Sequence, residues 1–450
     1  MKRSAWRYLW MSEDIRKKLL ITVGLLILYR LLSNIPVPGI DREVIRSLAQ
    51  QKGAAGNLIN LLDLLSGGTV SNFSILAMGV YPYITAQIIL QLLVPIIPAL
   101  ERRLKDNPRE GQAWMEKWTV ILTIPMAALS AIGQINIFNS MLGSGVSVLK
   151  NYGFTGAALI PTLTTLLSMI AGTMIGIWLG QLISEYGIPN QGLSLIIFAG
   201  IVSRMPTNLG RVLADKTNGW WMLIVIIAIL LLTIFAIVYV QQGRRNVPVL
   251  FPGRRIGNRM SMPVTSKLPL MVNMAGMIPL IFAQSILTFP AIVSSYFMSE
   301  KTVEWLRNFA TGVYHTFGGG NAWYAVLYFI MVVLFTFFYT DVLFTQQNYG
   351  ENLKKQGAQI PGVVRGAPTQ KYLNKVQRRI TLPGAVFLGL VAVLPYIVGS
   401  ILPSGAASSS GLLLVSSAGL LIVVGVVRDT FTIIETELKV HGYDESLIKG

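Results

Sequence analysis

The side chains able to do chemistry are few, and their positions exclude more than they permit. Cysteine is absent, and histidine occurs only at His315 and His441. Thiolate nucleophiles, disulfides and His-based metal or triad sites therefore have almost no material. Asp63 lies in a short apolar segment, while Glu185, Asp341 and Asp429 stand near the ends of longer apolar runs, and no acid occupies the middle of one. An ion-coupled transporter buries Asp, Glu or His near the membrane midplane, and an intramembrane protease needs an Asp pair or a Ser-His dyad; neither set is offered. The G-x-x-x-x-G-K-[ST] phosphate cradle is missing too. What remains is cationic. Arg244, Arg245, Arg254 and Arg255 fall in one polar segment, and Lys354, Lys355 and Arg365 in another. A guanidinium fork pairs with phosphate and carboxylate alike. These segments read as docking surfaces for an acidic or polyanionic partner, or else as solvated loops that only set topology.

The elements that carry these residues are membrane elements. Of 450 residues, 53% are hydrophobic and 13% charged, where a soluble protein carries roughly 25% charged. Apolar runs long enough to cross a bilayer fall at about 19–36, 73–98, 118–138, 156–181, 187–205, 219–240, 268–292, 322–345, 381–402 and 410–428. The first ends near Arg30 in Asn-Ile-Pro, not in a small-residue cleavage site, so it is expected to stay as a membrane helix. With the N-terminus inside, 27 of the 37 basic residues lie in the inside segments. That bias places both termini in the cytoplasm and accounts for most of the net charge of +17. Two inside loops, 241–267 and 346–380, are longer than a connection requires, which marks them as functional candidates.

One apolar segment is too short. Leu58–Leu65 rises only about 12 Å as a helix, against the roughly 30 Å of a bilayer core, and stops at Ser66-Gly67-Gly68. Such a half-helix must lie at the interface or inside a protein cavity. Asn60 and Asp63 give it a wettable face among Leu61, Leu62, Leu64 and Leu65. Within the long runs polarity is mild: Thr85, Gln87 and Gln91 in the second, Asn273 and Gln284 in the seventh. They either bond neighbouring helices or close a seam that opens. Gly172, Gly176 and Gly180 repeat at four-residue spacing, as close helix packing requires.

Several stretches resemble the SecY/Sec61α family of protein-translocation channels, and together they cover essentially the whole chain. They are PVPGID (36–41), LLSGGTVSNFSILAMGVYPYITAQIILQLL (64–93), GTMIGIWLGQLISEYGI, LSLIIFAGIV, KLPLMVNMAGMIPLIFAQSILTFP (267–290), NLKKQGAQIPG and TQKYLNKV. The resemblance implies an all-α membrane protein of ten transmembrane helices. These form two five-helix halves, 1–205 and 206–450, related by an inverted pseudo-repeat. It implies a plug at about 57–70, comprising Asn60, Leu61, Leu62, Asp63, Leu64, Leu65, Ser66, Gly67 and Gly68. It places Val80, Ile84, Leu193, Ile197, Ile281 and Ile422 at an aliphatic pore ring, and Thr85, Gln91 and Asn273 at a lateral gate. Flexible aliphatics suit a gasket around an extended chain, and an apolar constriction blocks ions by dewetting. By the same resemblance Arg244, Arg245, Arg254, Arg255, Lys354, Lys355 and Arg365 meet the ribosome and the SecA motor. The family's loop arginine follows Pro-Gly by two residues, and Arg365 stands one place later. SecE-like and SecG-like subunits, signal peptides, nascent polypeptides and membrane lipid complete the expected partners. No cofactor and no enzyme activity are implied, and the expected location is a prokaryotic plasma membrane.

Overall fold

The computed structural model describes residues 12–39, 73–94, 97–142, 153, 156–213, 219–251, 255–256, 259–260, 264–297, 303–317, 322–401 and 417–440. The expected plug residues, Asn60 to Gly68, and Arg254 lie outside them.

Each of the ten apolar runs carries a helix. In chain order the helices are α1 (Glu13–Leu32), α2 (Tyr81–Leu93), α3 (Pro98–Asp106), α4 (Pro108–Leu142), α5 (Leu159–Tyr186), α6 (Gly192–Leu213), α7 (Gly219–Gln242), α8 (Ile278–Tyr296), α9 (Glu304–Phe317), α10 (Ala322–Gln347), α11 (Tyr349–Lys355), α12 (Ala367–Ile401) and α13 (Ser417–Val440). Among the described residues, four stretches are long and apolar enough to cross a membrane by themselves: 109–136, 159–186, 322–355 and 367–394. A fifth is obtained if α2 and the start of α3, bent by 97°, count as one.

Packing divides the chain into two compact units, 1–226 with 285–325 and 395–450, and 227–284 with 326–394. In the first, α5 is central and packs on α1, α4 and α6, while α6 also packs on α1 and α13. The burial pattern suits lipid. On α1, Ile15, Thr22 and Tyr29 are buried along one stripe, and Leu20, Val23, Ile27 and Leu31 are exposed. Apolar residues face outward because a membrane does not penalise them, and hydroxyls turn inward. Thr22, Thr119, Thr123, Thr165 and Thr173 each donate to the carbonyl four residues back, so none needs water. Glu13 and Asp14 in the first turn of α1, and Arg30 in its last, complement the helix dipole.

Between α1 and α2 the chain makes a clasp. Val37 N–H donates to Phe73 O (3.2 Å) and Ile75 N–H to Ile35 O (2.9 Å), with Pro36 bridged to Ser74. Residues 73–80 are turns rather than the helix start expected from the apolar run at 73–98. Gly79 takes φ +51°, a left-handed value that helix cannot use. Pro82 in the first turn then suits the start of α2.

The second unit corrects the all-α expectation. Strands β1 (Arg244–Phe251) and β4 (Val264–Met271) form an antiparallel hairpin, with a small pair, β2 (Arg255–Ile256) and β3 (Arg259–Met260), between them. Pro248 and Pro269 sit inside the strands without breaking the ladder. Leu250 N–H points away from β4, to Gln359 O at 2.7 Å. Pro248 shares the parity of Leu250, and Pro269 faces Asn246 in the same class of pair. Neither proline therefore lacks a bond that the hairpin uses. The apolar run at 268–292 is also corrected: it begins in β4, and helix starts only at Ile278.

Candidate functional site

The two long loops are not separate loops. Val247, Val249 and Leu270 of the hairpin share one core with Phe344 of α10, Leu353 of α11, Ala358, Ile360, and Leu373 of α12. Leu250 and Gln359 exchange both backbone hydrogen bonds, at 2.7 and 2.8 Å, so the second loop adds a bridge to the free edge of β1. Side chains brace the turns: Gln370 accepts from Gly350 N–H (2.7 Å), and Thr369 donates to Val364 O (2.8 Å). Gly350 packs too closely on Gly366 O for any side chain, since a Cβ would lie 2.9 Å away. Arg378 of α12 grips Asp341 of α10 with two bonds, at 2.7 and 3.3 Å. This exposed pair links α10 to α12.

The segments that share this core also carry the cations. Arg244, Arg245, Lys354, Lys355 and Arg365 are all exposed, and Arg255 lies in β2. Lys355 spans to Glu351 at 3.4 Å, an exposed pair on α11. Such a pair is held loosely, so Lys355 is available to a stronger anion. Arg365 sits in the turn between Gly362 (φ +79°) and Gly366 (φ +95°). Lys371, Lys375 and Arg379 are exposed on the first turns of α12 and extend the same charge. They were not singled out from the sequence, yet a signal existed. In TQKYLNKVQRRI the bases alternate with Leu373, Val376 and Ile380 at helical spacing, which is an amphipathic helix start.

The expected ring residues are apolar and mostly buried. Val80 ends the turn that leads into α2, and Ile84 lies in the first turn of that helix. Ile197 of α6 and Ile422 of α13 are buried on two helices that pack together. Leu193 is half-buried and leans on α5, where a Cβ at Gly180 would meet its Cδ2 at 2.7 Å. In the second unit Ile281 is buried in the first turn of α8. Among the described residues, no Asp, Glu, Lys, Arg or His is buried.

The expected gate residues make local bonds. Thr85 donates to Tyr81 O at 3.0 Å, within α2. Asn273 lies not in a helix but in the turn before α8, where its Nδ2 donates to Gly276 O at 3.0 Å. Gly276 takes φ +63° to make that turn. Gln91 Oε1 and Asn273 Oδ1 are buried with no protein partner among the described residues. Each costs about 1–3 kcal/mol if left unsatisfied, so both are groups that gain from a new donor.

A family model, SecY, matches residues 74–431. The chain belongs to the SecY family. The protein translocase subunit SecY of Chlamydia trachomatis serovar D is 36% identical over 457 residues, covering 98% of each chain. Two solved structures share the fold of this SecY-family chain. One concerns the plug domain of SecY and its stabilisation of the closed channel, with TM-score 0.58 and 17% identity over 97% of this chain and 98% of the other. The second is Sec61 in the canine ribosome-channel complex from the endoplasmic reticulum, with TM-score 0.56 and 16% identity over 96% and 99%. A SecY-family chain with these apolar helices is a multi-pass membrane protein.

Proposed function

We propose that this chain is the channel subunit of a protein translocase, passing unfolded polypeptides across the plasma membrane and releasing hydrophobic segments sideways into lipid. The observation that carries this reading is the whole-length relationship to translocase subunits, at 36% identity over 98% of both chains. The local chemistry supports it. Val80, Ile84, Leu193, Ile197, Ile281 and Ile422 form an aliphatic ring that makes no specific bond to a passing chain, so it accepts any sequence. Residues Asn60 to Gly68 plug the idle channel from between the clasped ends of their segment. Ten helices span, in halves 1–205 and 206–450, with both termini cytoplasmic. The bend after α2 fits a channel whose irregular backbone is buried in protein.

Thr85, Gln91 and Asn273 line the lateral gate. The unpartnered oxygens of Gln91 and Asn273 favour a hydrogen-bonding visitor, and a signal helix offsets the cost of opening by burying its own apolar surface. The protein catalyses no covalent step. Work comes from the ribosome or from a SecA motor docked on the platform cations, with SecE-like and SecG-like subunits in the membrane.

The test exploits the absence of cysteine. Ile281→Cys is combined with a stalled secretory precursor that carries one cysteine in mid-chain. A disulfide at Ile281, absent from a control at lipid-facing Leu334, is expected. Its absence with the precursor demonstrably engaged removes Ile281 from the pathway.

A further inference from the structure

Helix α9 belongs to no role assigned above. Its 14 residues, EWLRNFATGVYHTF, rise about 21 Å, too short to cross the roughly 30 Å hydrocarbon core. Its two faces are cleanly divided. Ala310 and Tyr314 are buried against the protein, and Leu306, Val313 and Phe317 are half-buried beside them. Opposite lie Trp305, Asn308, Phe309, Gly312 and His315, all exposed at helical spacing. That outward face carries two large aromatics, Trp305 at 69% exposure and Phe309 at 67%. Its one exposed charge is Glu304, at the very start of the helix, while the helix's other charge, Arg307, is half-buried beside Tyr314 on the inner side. A helix face turned to water carries several charges; this one does not.

Three observations point to the occupant. α9 leads through a short connection into α10, which passes as a membrane span. The first turn of α10 exposes another tryptophan, Trp323, at 70%. From Trp323 an exposed apolar stripe continues along α10 through Val326, Ile330 and Leu334, at spacings of three and four residues. In a membrane protein that stripe meets lipid tails. A tryptophan at its end, a few residues along the chain from a helix presenting Trp and Phe, is the composition of the headgroup level, where amphipathic rings are enriched.

We infer that α9 is an interfacial helix, lying in the bilayer plane with Trp305 and Phe309 seated in the headgroup boundary at the α10 N-terminal end. It thereby ties the outer end of α8, the helix before it in the chain, to the leaflet. The inference rests on membrane placement of the chain and not on what passes through it, so failure of the Ile281 crosslink leaves it standing.

The experiment uses nitroxide labels on single cysteines at Trp305, Asn308, Phe309, Gly312 and His315, in the full chain reconstituted into phosphatidylethanolamine–phosphatidylglycerol vesicles. Labels at Leu334 and Lys355 supply lipid and water references. Collisions with oxygen should exceed those with a water-soluble nickel chelate at 305 and 309, giving depths between the two references. Nickel collisions as frequent at 305 and 309 as at 355 would place the face in water and overturn the inference. Low collision with both reagents would mean that protein covers the face, which overturns it equally.

Discussion

The three glycines of α5 make a graded test of how the first unit is packed. A Cβ on Gly172 would lie 2.0 Å from Ile75 O and 2.6 Å from its carbonyl carbon. Ordinary contact is about 3.5 Å, so one chain must move by more than about 1 Å. The obstacle is backbone, and it is pinned by the Ile75 N–H bond to Ile35 O. Overpacking costs about 1–3 kcal/mol where side chains adjust. Here the upper end applies, against a gain of about 1 kcal/mol from replacing glycine by alanine in a helix. Gly172→Ala should therefore lose about 2 kcal/mol or more. At Gly180 the obstacle is the Cδ2 of Leu193 at 2.7 Å, a side-chain end that can rotate away, so cost and gain roughly cancel. At Gly176 the nearest atom is Leu76 Cδ2 at 3.4 Å, and the alanine variant should be as stable as the parent or slightly better. Thermal unfolding in detergent, followed by fluorescence of the tryptophans, ranks the three. Gly172→Ala no less stable than Gly176→Ala would refute this account of the packing.

Four further outcomes follow from the site. Leu270→Ala empties a fully buried position in the platform core, at about 2–5 kcal/mol; ribosome affinity should fall although no charge has changed, as measured by co-sedimentation. Arg254→Glu with Arg255→Glu should weaken the same binding most at low salt, the deficit shrinking as salt is added, and unchanged binding would return that segment to a topological role. The Arg378–Asp341 pair is 66% and 41% exposed, so Asp341→Asn should cost no more than about 1 kcal/mol, with the difference disappearing at high salt. Asn273→Leu removes a buried, half-satisfied amide; the hydrophobicity threshold for accepted signal sequences should shift, and an unaltered threshold would take Asn273 out of the gate.

That each long apolar run would carry a helix was legible, because such runs are a strong local signal. The hairpin was not. VPV and LPL each place a proline within a strand, which ordinarily argues against one; only the pairing shows that both prolines occupy positions with no bond to lose. KLPLMVNMAGMIPLIF reads as one apolar run, yet strand, turn and helix share it, and hydropathy alone does not separate them. Joining Leu250 to Gln359 requires two segments more than a hundred residues apart, and nothing local to either predicts it. At the site, the glycine spacing of α5 announced close packing correctly, but not that the neighbour at Gly172 would be the backbone of Ile75. Cations were found by type, and the shared core that carries their two segments came only with the structure.

The clasp between Ile35–Val37 and Phe73–Ile75 has a thermodynamic consequence for whatever residues 40–72 do. Both ends of that segment are fixed side by side, so the entropy of closing the loop is spent once, on folding, and not at each cycle of use. A plug hung from such a clasp leaves and returns by a unimolecular step, at an effective concentration set by its tether rather than by the amount of protein present. On the plug role proposed for Asn60 to Gly68, resealing is then a property of the single chain. It would run at the same rate in a crowded membrane or a sparse one, and no passing substrate could carry the stopper away.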